Sequence, residues 1–152
     1  GEGVELLVAL CAVRPEPVHC PTGLTAITND NVHAAVDAWV VDAAAAEATY
    51  GHIKWWDTGD VTNMRLLVSN DSPTATGAWH SDNSRVSKAS FNEDLAHWDV
   101  SGVADMFGLF YSYQDVKTAF NTDISGWDTS RVTTMTLMFQ SATSFNADIS
   151  AW

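Results

Sequence analysis

One motif recurs along this chain, and it constrains the fold more than any other feature. The motif reads Phe-Asn-x-Asp-Ile/Leu-x-x-Trp, and it is written in full at residues 91–98, 120–127 and 145–152. Further apolar residues follow in the same register. The recurring core positions are Trp56, Trp98, Trp127, Trp152, Phe91, Phe120, Phe145, Val61, Val103, Val132, Met64, Met106 and Met135. So many matched positions define an internal repeat.

The spacing of the tryptophans predicts how the repeats are arranged. It is shortest between Trp127 and Trp152, slightly longer between Trp98 and Trp127, and longest between Trp56 and Trp98. The shortest spacing sets a repeat unit too small to bury its own apolar surface, so each unit must stack on its neighbours. We therefore expect an α/β repeat fold, a short leucine-rich-repeat-like solenoid of about four 25-residue coils.

The segment before the repeats predicts a helix that covers the first coil. Val32, Ala35, Val36 and Trp39 recur at helical spacing, and Gly51 is a fitting stop. We expect residues 1–24 to be an N-terminal extension and residues 25–51 a capping helix. The repeat region then spans 52–152, with a loop insertion at 69–90.

The extension holds both cysteines of the chain, Cys11 and Cys20. Their short separation favours a disulfide and an extracellular setting, and two free thiols are the alternative. The apolar run at residues 4–13 is too short to span a bilayer, so we expect no direct membrane span.

Charge excludes one class of partner. Acidic residues outnumber basic ones by 19 to 7, which gives a formal net charge of −12. Nucleic-acid binding needs a basic surface, so we expect no nucleic-acid partner.

The residues resemble a known family. The stretch AEATYGHI-x-x-WDT, followed by FN-x-DIS-x-WDTS-x-VT-x-M-x-x-MF, is similar to BspA-like leucine-rich-repeat proteins. The similarity is to the branch found in mycoplasma surface lipoproteins and in surface proteins of microalgae and other protists. It covers residues 25–152 and implies an extracellular or cell-surface repeat protein used in adhesion or recognition, without catalytic residues.

Two sets of aspartates recur at matched positions of the repeat and are the first candidates for chemistry. They are Asp57, Asp99 and Asp128, and Asp94, Asp123 and Asp148. Calcium binding is one interpretation, and turn capping by each carboxylate is the favoured one. The histidines share no ligand spacing, and no nucleophile or phosphate-loop motif appears, so we expect no metal, no cofactor and no enzyme.

Candidate binding residues lie in the two insertions. Trp79 and His80 lie in the larger loop, where they are candidate contacts for a ligand. Tyr111 and Tyr113 lie in the smaller insertion, where they either contact a protein or glycan or shield the nearby core from solvent. Asn70 begins an Asn-x-Ser glycosylation signal.

Two functions from different classes follow from the repeat. The first is a non-catalytic surface module that binds a protein or glycan, and the second is a structural subunit packed against neighbouring subunits of a larger assembly. An uncovered last coil would expose strand edges and apolar surface, so we expect either further repeats or a partner that covers it.

Overall fold

The computed structural model describes residues 23–70, 86–113 and 116–152 of the chain. Helix α1 spans Val32–Val41 and helix α2 spans Ala43–Tyr50. One turn of 3-10 helix, Ile53–Trp55, follows. The predicted disulfide pair, Cys11 and Cys20, lies outside the described residues, as do Trp79 and His80.

The helical segment is broken once. Asp42 has an extended backbone (φ −151°, ψ 93°), and its Oδ1 accepts a hydrogen bond from the Ala45 N–H at 3.1 Å, which caps α2. Gly51 ends α2 at a positive φ of 79°. Trp39 on α1 is buried against Trp56, with ring centroids 6.1 Å apart, so the helices pack on the first repeat.

The prediction of an α/β leucine-rich-repeat-like solenoid is wrong. Within the described residues there are two short α-helices and no strand, only isolated parallel bridges such as Asn63 to Asp105 and Asp105 to Thr134. Backbone geometry gives the reason. Leu66, Gly108 and Leu137 occupy the same repeat position, and all three have φ near +60°, which interrupts any extended run.

The repeat units nevertheless lie side by side, joined by backbone hydrogen bonds. We number them unit 1 (residues 52–70), unit 2 (91–112), unit 3 (120–141) and the partial unit 4 (145–152). Alternate N–H groups of each unit donate to carbonyls of the next at 2.8–3.0 Å. The pairs are Met64–Asp105, Leu66–Phe107, Val68–Leu109 and Asn70–Tyr111 between units 1 and 2, then Met106–Thr134, Gly108–Thr136, Phe110–Met138 and Ser112–Gln140 between units 2 and 3.

Tryptophan is needed at its repeat position because its indole N–H links the units. The indole of Trp98 donates to the Ile53 carbonyl at 2.8 Å, and that of Trp127 donates to the Leu95 carbonyl at 3.0 Å. Each acceptor lies three residues before the tryptophan of the preceding unit. Phenylalanine has no such donor and would fill the space without making the link.

Burial of the repeated apolar residues declines towards unit 4. The positions in units 1 and 2 are buried, whereas Val132, Phe145 and Trp152 are half-buried. Met135 is 36% exposed, although the repeat predicts that it belongs to the core. Its equivalents Met64 and Met106 are each covered by a following unit with a full row of residues, whereas unit 3 is followed by the partial unit 4.

Among the described residues, no helix is both long and apolar enough to cross a lipid bilayer.

Candidate functional site

The backbone of the two tyrosines predicted as binding residues lies at the junction between units 1 and 2. The Tyr111 carbonyl accepts the Asn70 N–H at 2.8 Å, and the Tyr113 N–H donates to the Asn70 carbonyl at 3.0 Å. Both tyrosines are half-buried. A binding role for their side chains stays a prediction, and their predicted companions Trp79 and His80 lie outside the described residues.

Asn70, the predicted glycosylation site, is only 5% exposed. Its Oδ1 accepts hydrogen bonds from the Ser87 hydroxyl at 3.0 Å and from the Lys88 N–H at 3.2 Å. A glycan on the amide nitrogen of this buried side chain would disrupt that packing. The folded chain thus uses the Asn70 side chain in buried packing, and glycosylation at Asn70 stays a prediction that this placement does not favour.

The repeated aspartates cap turns. In all six, Oδ1 accepts the backbone N–H two residues along the chain, at 2.9–3.1 Å; the carboxylates are those of Asp57, Asp94, Asp99, Asp123, Asp128 and Asp148. This is the Asx-turn that the favoured interpretation requires. Within the described ranges, no three His, Cys, Asp or Glu side chains are grouped so as to hold a metal ion.

At Asp99, Asp123, Asp128 and Asp148 these hydrogen bonds favour the charged carboxylate. The Ser101 hydroxyl and N–H lower the pKa of Asp99, and Ser125 and Ser130 act in the same way on Asp123 and Asp128. The pKa of Asp148 is also lowered, first by the Ser150 N–H.

Asp94 differs because a lysine contributes. Burial acts to raise the pKa of Asp94. Two hydrogen bonds act in the opposite direction, one from Lys54, whose Nζ lies 2.9 Å from Oδ2, and one from the Ala96 N–H. Together they outweigh burial, so the pKa of Asp94 is lowered.

The surface best suited to binding is the outer edge of unit 3, which we define as residues 134–141. Carbonyls of the even-numbered residues in this range accept hydrogen bonds from unit 2. The N–H groups of the odd-numbered residues point to the other side. Within the described residues, the N–H groups of Met135, Leu137, Phe139 and Ser141 have no acceptor, and neither do those of Thr134 and Thr136 in the same range.

The carbonyls of the same odd-numbered residues are already engaged, by N–H groups of unit 3 or of the residues that follow it. The Met135 carbonyl accepts the Met138 N–H at 3.0 Å, and the Leu137 carbonyl accepts the Gln140 N–H at 3.1 Å. The Phe139 carbonyl accepts the Ala142 N–H at 3.0 Å. The outer edge therefore presents a row of hydrogen-bond donors without the acceptors that a β-strand edge would alternate with them.

The side chains of the outer edge are apolar or neutral. Met135 is 36% exposed and Leu137 is 41% exposed, and residues 134–141 include no charged residue. The equivalent rows of the inner units each carry one charge, on Arg65 and on Asp105. Because proteins usually protect open edges with charged side chains, an uncharged edge is suited to pairing with another backbone.

Sequence reasoning missed the outer edge as a set of donors. The repeat register marks Met135 as a core residue, and burial of its equivalents follows the register. Which backbone groups remain unpaired depends on the turn geometry inside each unit. The nearest sequence signal is the run TTMTLMFQS, residues 133–141, which lacks the charges of its counterparts.

A family model described as "Mycoplasma protein of unknown function, DUF285" matches the chain twice, over residues 38–114 and 83–152. The two matches overlap and together cover well over half of the sequence. The chain belongs to the DUF285 family. No curated protein and no solved structure matches it.

The DUF285 matches begin within α1 and run through all the repeat units, so the membership covers α2 and the hydrogen-bonded rows. This agrees with the resemblance to mycoplasma surface proteins at the level of a Mycoplasma-associated family.

Proposed function

We propose that this DUF285 chain is a non-catalytic, surface-displayed module that recognises other proteins. The observation that carries the proposal is the outer edge of unit 3. It combines the unpaired N–H groups of Met135, Leu137, Phe139 and Ser141 with two exposed apolar side chains, and it carries no charged residue. Such a surface gains hydrogen bonds and buried apolar area when a backbone that offers carbonyl acceptors docks on it.

Surface display is part of the same proposal. It is supported by membership of a Mycoplasma-associated family together with the resemblance to BspA-like surface proteins. Treating intact cells with a protease that cannot enter them should remove the protein if it is displayed. Retention of the full-length protein on intact cells, with loss after lysis, would contradict surface display.

A protein partner is favoured over a glycan because the outer edge offers a row of backbone donors rather than exposed polar and aromatic side chains. End-to-end stacking of identical copies, the structural alternative, meets an obstacle at the other end. Asn29 Oδ1 accepts the N–H groups of Thr62 and Asn63 at 3.0 and 3.2 Å, so the helical segment already covers unit 1.

The test is a binding screen against arrays of protein ectodomains and glycans, with two matched variants. Leu137→Glu places a carboxylate on the outer edge. Val116→Glu places one at a side chain that is equally exposed, at 41%, in the connection between units 2 and 3. We expect saturable binding to a protein that Leu137→Glu abolishes and Val116→Glu preserves. Binding to glycans alone, or equal loss in both variants, would contradict the proposal.

A further inference from the structure

A short column of aromatic rings lies on the surface of units 1 and 2, one residue before each repeated tryptophan. Trp55 is half-buried and His97 is exposed, and their ring centroids are 4.3 Å apart with an interplanar angle of 34°. The equivalent residue of unit 3 is Gly126, and a Cβ placed there would meet nothing within 4 Å.

The column therefore stops at His97 within the described residues. Trp55 of unit 1 covers one face of the His97 ring, and unit 3 lies on the opposite side of unit 2. The second face of the ring thus borders open space above Gly126. We call the space between the His97 ring and Gly126 the ring gap.

A turn of 3-10 helix directs Trp55 outward. Ile53 and Trp56 are both buried, and the two residues between them are half-buried and lie towards the surface. His52 Nδ1 accepts the Lys54 N–H at 3.3 Å, which caps this turn. The first ring of the column is therefore held by a capped turn of unit 1.

An ion pair borders the aromatic column. Lys54 Nζ lies 2.9 Å from Asp94 Oδ2 and 5.0 Å from the centre of the Trp55 ring. Asp94 Oδ1 accepts the Ala96 N–H at 3.0 Å, so this carboxylate is held at both oxygens. Each carboxylate oxygen can accept two hydrogen bonds and an ammonium can donate three, so the pair keeps fixed acceptors and donors for a ligand.

From this arrangement we infer that the ring gap binds a neutral sugar ring of a glycan. A pyranose with equatorial hydroxyls presents C–H groups on its faces and hydroxyls around its rim. Its face would stack on the free side of the His97 ring, because the negative face of an aromatic ring attracts the partial positive charge of C–H groups. This ligand goes beyond the proposed function, since its site is formed by residues other than those of the outer edge.

The rim of the sugar also finds partners. Asp94 lies three residues before His97, and Asp123 lies three residues before Gly126, at the same repeat position. Asp123 is exposed, and its Oδ1 is oriented by the Ser125 N–H at 2.9 Å. Sugar hydroxyls both donate and accept, so they suit the carboxylates and the lysine ammonium together.

Two other ligand classes fit the ring gap less well. An anionic sugar or a phosphate would meet the carboxylates of Asp94 and Asp123, on a chain with a formal net charge of −12. A basic side chain of a protein would meet the Lys54 ammonium, which already pairs with Asp94 and lies over the Trp55 ring. A neutral ligand rich in hydroxyls avoids both repulsions.

The test titrates the whole protein with hexamers of β-1,4-linked glucose and of β-1,4-linked N-acetylglucosamine, which have equatorial ring substituents. We expect calorimetry to show saturable binding of at least one hexamer, and NMR spectra to show amide shift changes centred on His97 and Gly126. His97→Ala should weaken this binding about 3- to 10-fold, because it removes one stacking contact. His97→Phe keeps a ring and should retain binding.

A variant that fills the ring gap separates stacking from a general effect on folding. Gly126→Leu places a side chain in the open space and leaves both rings of the column in place, so it should abolish hexamer binding. Ala44→Leu adds the same side chain at an exposed position of α2 and should leave hexamer binding unchanged.

Three results would overturn the inference. They are that neither hexamer binds, that Gly126→Leu and Ala44→Leu bind the hexamer equally well, or that a tri-lysine peptide shifts the His97 and Gly126 amides while the hexamers do not. Leu137→Glu should leave hexamer binding unchanged, and His97→Ala should leave binding of a protein to the outer edge unchanged. Failure at the ring gap is thereby distinguished from failure of the proposed function.

Discussion

At the scale of single residues, the tryptophan indole does more than fill space. Each of the indoles of Trp98 and Trp127 stacks within an aromatic column and donates across a unit boundary. Substitution by phenylalanine keeps an aromatic ring in the column, but it removes the donor and part of the ring area.

Trp98→Phe should lower the free energy of unfolding by about 2 kcal/mol, since it removes the 2.8 Å bond to the Ile53 carbonyl and leaves a gap in the buried core. Trp152→Phe is the matched control, because Trp152 is half-buried and its bond to the Ile124 carbonyl is 3.3 Å long. We expect the control to change stability by less than about 1 kcal/mol. Equal losses in urea unfolding would show that the cross-unit bond contributes nothing.

Backbone conformation supplies the second prediction at this scale. Gly108 has φ 58°, and a Cβ there would lie 2.6 Å from Leu66 Cδ2. Gly108→Ala should lower the free energy of unfolding by about 1–2 kcal/mol, because the left-handed conformation disfavours a side chain.

Gly126→Ala is the control for Gly108→Ala, since its Cβ would meet nothing within 4 Å. Its effect on the urea midpoint should be small. If both substitutions shift the midpoint equally, the strain assigned to the recurring left-handed position is absent.

At the scale of elements, the break between α1 and α2 depends on one capping carboxylate. Asp42→Ala removes the acceptor for the Ala45 N–H and should destabilise the protein by about 1 kcal/mol in urea unfolding. Asp42→Asn keeps a side-chain acceptor and should cost less. The reverse order of the two variants would contradict a capping role.

The Asx-turns predict the response of the protein to acid. The carboxylates of Asp99, Asp123, Asp128 and Asp148 have folded-state pKa values below the usual value of about 3.9, so the unfolded chain takes up protons first as the pH falls. Their stabilising contribution is complete above about pH 4 and is lost as the pH falls through the folded-state values.

Chemical unfolding between pH 3 and pH 7 measures this effect. The free energy of unfolding should decline below about pH 4, and the double variant Asp123→Asn, Asp128→Asn should decline less steeply, because asparagine forms the same turn without titrating. A variant with the same acid slope as the unaltered protein would contradict the assignment.

At the scale of the whole molecule, sequence reasoning recovers the register of the repeat better than the conformation of each unit. Burial at Trp56, Trp98 and Trp127 follows the pattern, since the apolar side chains can be covered only by neighbouring units. The aspartate turns also follow from sequence because the side chain and its N–H partner are two residues apart.

The backbone conformation between the tryptophans and the aspartate turns could not be predicted from the sequence in the same way. Leu66 and Leu137 adopt the left-handed conformation that leucine normally avoids, and no propensity predicts it. That conformation prevents strands and sets which carbonyls are used inside a unit. The outer edge depends on both, so it emerged only from the assembled structure.

Amide hydrogen exchange of the unbound protein tests the central claim, that rows of backbone bonds join the units in one direction. Slow exchange is expected at the eight inner donors, Met64, Leu66, Val68, Asn70, Met106, Gly108, Phe110 and Ser112. Fast exchange is expected at Met135, Leu137, Phe139 and Ser141. Similar exchange rates in all three rows would contradict the directional junctions and, with them, the outer edge as a binding surface.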